Sequence, residues 1–212
     1  MYQTGFGGIS PAIKNLLLAN IAVYLLQGLE LVSSWVFGLV PIQIVDKFFF
    51  WQFFTYMFLH GSVGHIFFNM FALWMFGVEL ERRWGTQEFL KYYLLTGVIA
   101  GISIFIWNAL SGAWGVPTIG ASGAVFGILI AYALFFPERY VYFWGVLPIK
   151  VKYLVIGYGA IELMLLPGQS NISHIGHLGG MVAGFFYLRN RYRREGIGYR
   201  FFQDFFKKKG PF

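Results

Sequence analysis

The sequence predicts an all-α, polytopic membrane protein built as one bundle of six transmembrane helices, and three observations lead there. Of its 212 residues, 58% are hydrophobic and 12% are charged, where an ordinary soluble domain carries about a quarter charged residues. Six long apolar runs are separated by polar, Gly and Pro breaks, and each approaches the ~20 residues a helix needs to cross hydrocarbon. Basic residues fall almost entirely on one side when those runs are threaded back and forth through a bilayer. A soluble globule is excluded by composition. A closed β-barrel is excluded by pattern, since its strands alternate over about ten residues while these runs are apolar on all sides.

The first span is read over residues 12–29. No basic region, short apolar core and cleavage site precede it, so it is expected to remain as a mature helix with no soluble domain before it. The second covers 63–78, up to the charged stretch that begins at Glu79. The third covers 89–110. The fourth covers 122–136 and opens on the small residues around Ser122. The fifth covers 149–166, and the sixth 173–189, followed by a basic tail over 190–212.

With the N-terminus cytoplasmic, the inner side collects Lys14, Arg82, Arg83, Lys91, Arg139, Lys150 and Lys152. The segment from Arg189 onward adds Arg191, Arg193, Arg194, Arg200, Lys207, Lys208 and Lys209, and Lys47 alone lies outside. Fifteen of sixteen basic residues on one side support both the span count and two cytoplasmic termini. The tail reads as a topology anchor on anionic lipid, not as a nucleic-acid site. With no Cys, disulfides, thiolate metal sites and Cys nucleophiles are excluded.

About thirty residues separate the first two spans. The stretch from Leu31 to Leu59 is rich in Trp, Phe and Tyr, as in a belt at the membrane surface or an element partly dipping into lipid.

A polar side chain in hydrocarbon is costly unless paired, so each one is a candidate for function. They are few: His60, His65, His174, His177, Asn69, Ser122 and Glu162. The second, fourth and sixth spans all enter from the outer face. His65 and Asn69 in the second, Ser122 in the fourth and His177 in the sixth therefore share one depth. Ser122 lies in Gly120-Ala121-Ser122-Gly123, where small residues admit a close neighbour and a helix N-terminus favours developing negative charge. His177 precedes Gly180 and Gly184, whose spacing makes a smooth helix face. If the glycine faces of the fourth and sixth spans meet, the imidazole reaches the Ser122 hydroxyl, the minimum apparatus for acyl transfer. No Asp or Glu is expected at that depth, so a hydrolase here runs on a dyad. His65 and Asn69 at i,i+4 share one helix face and can either bridge helices or donate to an oxyanion. Glu162, late in the fifth span, is read as structural.

These motifs resemble the rhomboid intramembrane serine proteases. The segments that carry the likeness are His65-Ile66-Phe67-Phe68-Asn69, Gly120-Ala121-Ser122-Gly123, and His177-Leu178-Gly179-Gly180 with Gly184. Glu79-Leu80-Glu81-Arg82-Arg83-Trp84-Gly85 and Trp51-Gln52 add to it, in the right order from the first span to the sixth. The resemblance implies a six-helix rhomboid-like core in which Ser122 attacks a peptide bond and His177 is general base, then acid. Asn69 and His65, with the Ser122 N–H, would stabilise the oxyanion, and the aromatic outer loop would flank the substrate entrance. Gln52 stands where Arg is common, Phe126 where many bacterial members stack a Tyr on the catalytic His, and Tyr56 where some have His.

The expected substrates are membrane proteins cleaved in or near a transmembrane segment. The setting is the lipid bilayer, as a prokaryotic plasma membrane protein, with no cofactor, metal or nucleic acid. A polar cavity lined by His60, His65, Asn69 and His177 is expected above Ser122. The alternatives are a noncatalytic rhomboid-like binder, which would be expected to lack Ser122 or His177, and a metal site or transporter built on the four histidines. The latter lacks HExxH and, on this reading, any carboxylate beside the histidines.

Overall fold

A computed structural model describes residues 8–143, 146–166 and 173–194. They are mostly helical. The long helices are α1 (Pro11–Gly28), α5 (Val63–Trp84), α6 (Thr86–Leu110), α7 (Ser122–Phe135), α8 (Val151–Leu165) and α9 (His174–Arg194). Between α1 and α5 lie three short helices, α2 (Ser34–Phe37), α3 (Pro41–Lys47) and α4 (Gln52–Thr55), the last running into a 3₁₀ turn over Tyr56–Phe58. By length and composition α5 and α6 can each cross a membrane, while α7 is apolar but 14 residues long. The basic residues Arg200, Lys207, Lys208 and Lys209 of the expected tail lie outside the described residues.

The centre of the bundle is α7, ten of whose fourteen residues are buried. It packs on α9, α6 and α5, so a helix apolar all round is what its position demands. Its partners approach closely because glycines on both sides line the contacts. A Cβ on Gly180 of α9 would lie 1.9 Å from the Gly123 carbonyl oxygen, and one on Gly127 would lie 2.8 Å from the Thr96 side chain on α6. Two tyrosine hydroxyls buried between helices find backbone acceptors: Tyr92 donates to the Gly127 carbonyl at 2.6 Å and Tyr56 to the Gly97 carbonyl at 2.7 Å.

The helix α5 continues six residues beyond the apolar run read over 63–78, through the charges that seemed to end it. Those charges have work. Glu81 is 2% exposed and accepts from the backbone N–H groups of Ala12 and Ile13 at 2.8 and 3.0 Å and from the Ser10 hydroxyl. It thereby caps α1 from across the fold. Glu79 binds the Tyr132 hydroxyl at 2.9 Å and pairs with Arg139.

A purely helical fold is corrected at one place. Strands β1 (Tyr140–Phe143) and β2 (Leu147–Lys150) form an antiparallel hairpin with Tyr140 opposite Lys150, so the fifth helix starts at Val151 and not at residue 149. The β-branched and aromatic run Tyr140-Val141-Tyr142-Phe143 suits a strand. Lys150 and Lys152 both hydrogen-bond Glu138 and hold its carboxyl below the usual carboxylate range.

The aromatic loop is an ordered substructure clamped by Gln52, which is 0% exposed. Its amide donates to the Trp35 and Val36 carbonyls, both at 3.1 Å, and its oxygen accepts from the Val40 N–H at 2.9 Å. A neutral side chain that both donates and accepts is what these three groups require. Gln52→Ala leaves Val40 N–H and Trp35 C=O unpartnered inside the loop. A loss of about 1–3 kcal/mol, or roughly 2–10 °C in Tm, is expected in thermal melts of the detergent-solubilised protein.

Candidate active site

Ser122 is the first residue of α7, where the leading backbone N–H groups have no partner within the helix. The segment before it is tied to the outer loop. Leu39 and Thr118 exchange both backbone hydrogen bonds at 2.9 Å, and Gly120 N–H donates to the Tyr56 carbonyl at 2.9 Å. Gly120 has φ +128°, a conformation that favours glycine, and a Cβ there would meet His65 Nε2 at 2.7 Å. Both constraints call for glycine.

His177 lies in the first turn of α9, and the Gly180–Gly123 contact brings that turn against the start of α7. The result is a hydrogen bond of 2.8 Å between Ser122 Oγ and His177 Nε2. Ser122 is half-buried and His177 is buried. Phe126, one turn along α7, stacks on the imidazole with ring centroids 4.2 Å apart and planes 8° apart. It holds the ring flat beside the hydroxyl. Gly184 sits against both α6 and α7, where a Cβ would lie 2.2 Å from the Tyr92 hydroxyl and 2.9 Å from the Ile130 side chain.

His65 reaches Gly120: its Nε2 and the Ser122 hydroxyl lie 2.7 and 3.8 Å from the point a Gly120 Cβ would occupy. Asn69 is buried, and its amide donates to the His65 carbonyl at 3.0 Å. One amide hydrogen is therefore committed to its own helix. His60 packs edge-on against His65 at 5.0 Å and is 2% exposed, with both ring nitrogens unpartnered among the described residues. Burial, with the neighbouring His65 imidazole second, pushes His60 down to about 4, so this ring is neutral at pH 7. Of the four residues expected to line one polar cavity, His60 alone borders the cavity of about 730 Å³ that runs past Tyr24, Gln27, Ser34 and Ile119.

The main correction concerns Glu162. Far from standing apart from the histidines, it is 7% exposed in the last turn of α8 and touches both residues of the α9 start. Its Oε2 lies 2.6 Å from His174 Nδ1 and its Oε1 lies 3.0 Å from His177 Nδ1. The second contact is close but poorly aligned, since His177 Nδ1 has no hydrogen bond of good geometry among the described residues. The ligand atoms of Glu162, His174 and His177 all lie within 4.8 Å of one another. The expectation of no acidic group beside the histidines therefore fails. The helical phase of α8, which decides whether Glu162 faces lipid or α9, is what the sequence did not yield.

The Rhomboid domain family model matches residues 47–194. The chain is similar to the Rhomboid protease GluP of Bacillus subtilis, 34% identical over 139 residues that make up 64% of this chain and 25% of that protein. It is 31% identical over 137 residues to Presenilin-associated rhomboid-like protein A, mitochondrial, of Danio rerio, covering 62% of this chain and 35% of that one. It is also 32% identical over 140 residues to RHOMBOID-like protein 12, mitochondrial, of Arabidopsis thaliana, covering 59% and 42%. The matched part thus spans between a quarter and about two-fifths of these relatives.

Proposed function

We propose, for a chain that belongs to the rhomboid family, that it is an intramembrane serine endopeptidase cutting membrane proteins in or near a transmembrane segment. Members of this family are membrane proteins and include proteases. The observation that carries the reading is the 2.8 Å Ser122–His177 hydrogen bond at the start of a buried helix.

In the proposed reaction the substrate carbonyl carbon is attacked by Ser122 Oγ as its proton passes to His177 Nε2. The oxyanion forms beside the free N–H groups that begin α7, with His65 and Asn69 as further donors. The same Nε2 proton then goes to the leaving amine, and a water, deprotonated in its turn by His177, hydrolyses the acyl-serine. The six long helices are the six membrane spans, and both termini face the cytoplasm of a prokaryotic plasma membrane. The one-sided basic residues support that orientation. The half-buried loop of α2 to α4 flanks the side from which a substrate helix arrives.

A fluorophosphonate tests the reading directly. The purified protein in detergent is expected to carry one adduct, on Ser122 by peptide mass spectrometry, and His177→Ala is expected to lose it. An adduct at another residue, or equal labelling without His177, would count against the assignment.

A further inference from the structure

Glu162 is the acidic residue beside His177 that the reaction above leaves unused. Its neighbours along α8 show how deliberate its placement is: Ile161 and Leu163 on either side are 50% and 60% exposed, while Glu162 is 7% exposed and turned to α9. A carboxylate so placed costs several kcal/mol unless its oxygens are partnered, and here each oxygen has its own imidazole, at 2.6 and 3.0 Å.

With Glu162 ionised, the proton inventory of the cluster closes. An ionised carboxylate only accepts, so both facing Nδ1 atoms carry hydrogen. A neutral His177 with hydrogen on Nδ1 has a bare Nε2, and Nε2 is the atom that meets the Ser122 hydroxyl at 2.8 Å. From the geometry we infer that Glu162 is a positioning residue. It fixes the His177 tautomer and stabilises the imidazolium that forms when Ser122 gives up its proton, with His174 holding the second carboxylate oxygen. During acylation the proton from Ser122 Oγ bonds to His177 Nε2 and later leaves on the amine, while the Nδ1 hydrogen stays on Nδ1 beside Glu162 throughout. A slight turn of ring or carboxylate at the existing 3.0 Å separation aligns that N–H with Oε1.

The same three side chains would also suit a divalent metal, but their spacing favours shared protons. Two ligands held ~2.0–2.1 Å from a tetrahedral ion stand about 3.3 Å apart, farther than either oxygen–nitrogen separation here. This inference rests on the reading of Ser122 as the nucleophile.

The test uses the full chain in proteoliposomes, with kcat and KM for a membrane-anchored reporter, the fluorophosphonate labelling rate of Ser122, and the melting temperature measured together. Glu162→Gln keeps the shape and removes the charge. A fall of about 10- to 100-fold in kcat and in labelling rate is expected, below the ~10⁴ lost from a well-aligned triad. KM and Tm should stay near wild type, and Glu162→Asp should recover part of the loss. Nitrogen-15 NMR of histidine-labelled wild type, with His177 assigned by difference from His177→Ala, should show hydrogen on Nδ1; it reads the tautomer even if Glu162→Gln fails to fold. Unchanged rates in folded Glu162→Gln, or hydrogen on Nε2 of His177, overturn the inference alone. Wild-type labelling that collapses with EDTA overturns it in favour of a metal. A wild type that never labels at Ser122 overturns the nucleophile reading and takes this inference with it.

Discussion

Ser122→Ala is expected to abolish cleavage of a membrane-anchored reporter while leaving the helical bundle intact. In serine hydrolases, removing the nucleophile costs ~10⁶ in kcat because no other group can form the acyl intermediate. The unoccupied N–H groups at the start of α7 could still polarise a carbonyl, but that contribution alone leaves only a small residue of the catalysed rate. Stability should change little, because the Ser122 hydroxyl is bonded to His177 alone among the described residues and is half-buried. The measurement is reporter cleavage by purified variant and wild type in proteoliposomes, with circular dichroism and melting as controls. Wild-type cleavage by Ser122→Ala would sink the protease assignment.

The second large effect is expected from Gly180→Ala, a single added methyl group. Its Cβ would lie 1.9 Å from the Gly123 carbonyl oxygen and 3.3 Å from the Gly123 Cα. Backbone cannot rotate out of the way as a side chain can, so α7 and α9 have to separate by more than ~1 Å to restore ordinary contact distances. Overpacking of this kind costs about 1–3 kcal/mol or more. The catalytic consequence is larger than the structural one, because Ser122 rides on one of the separating helices and His177 on the other. A misplacement of ~1 Å can cost about 100-fold in rate, and at least that loss in kcat is expected. Gly157→Ala on α8 is the control: a Cβ there meets nothing within 4 Å, and alanine is the better helix former. Its activity and melting temperature should match wild type or slightly exceed it. Equal activity in Gly180→Ala would show that the helix contact does not set the Ser122–His177 distance.

The starts of α5 and α7, at Val63 and Ser122, were legible in the sequence because short polar and glycine breaks, His60-Gly61-Ser62 and Thr118-Ile119-Gly120, stand just before them. The end of α5 was not, since hydropathy reads Glu79, Glu81, Arg82 and Arg83 as a boundary. Glu79 and Glu81 continue the helix to cap α1 and bind Tyr132, contacts over 50 residues or more that no local window contains. The hairpin at Tyr140–Lys150 was hidden for a related reason, being four-residue strands beside a helix with no alternating pattern long enough to stand out. At the site, depth alone brought Ser122, His177 and His65 together, because in a bundle depth follows from counting along each helix. Glu162 needed the rotation of α8 about its own axis as well. That angle is set by packing against α9, which single-sequence periodicity reports weakly when most faces are apolar.

The clasp of Glu81 on Ser10, Ala12 and Ile13 bears on the order in which the molecule is made. All of its members precede Gly120 in the chain, so they leave the ribosome before Ser122 does. Once α5 is inserted the clasp can shut, and α1, the aromatic loop and α5 become a closed ring with the Gln52 clamp inside it. During synthesis, N-terminal parts assemble ahead of later ones. The frame against which Ser122 is later positioned can therefore close around the time that Ser122 leaves the ribosome, and a variant such as Glu81→Ala is expected to delay assembly at a stage before His177 has emerged.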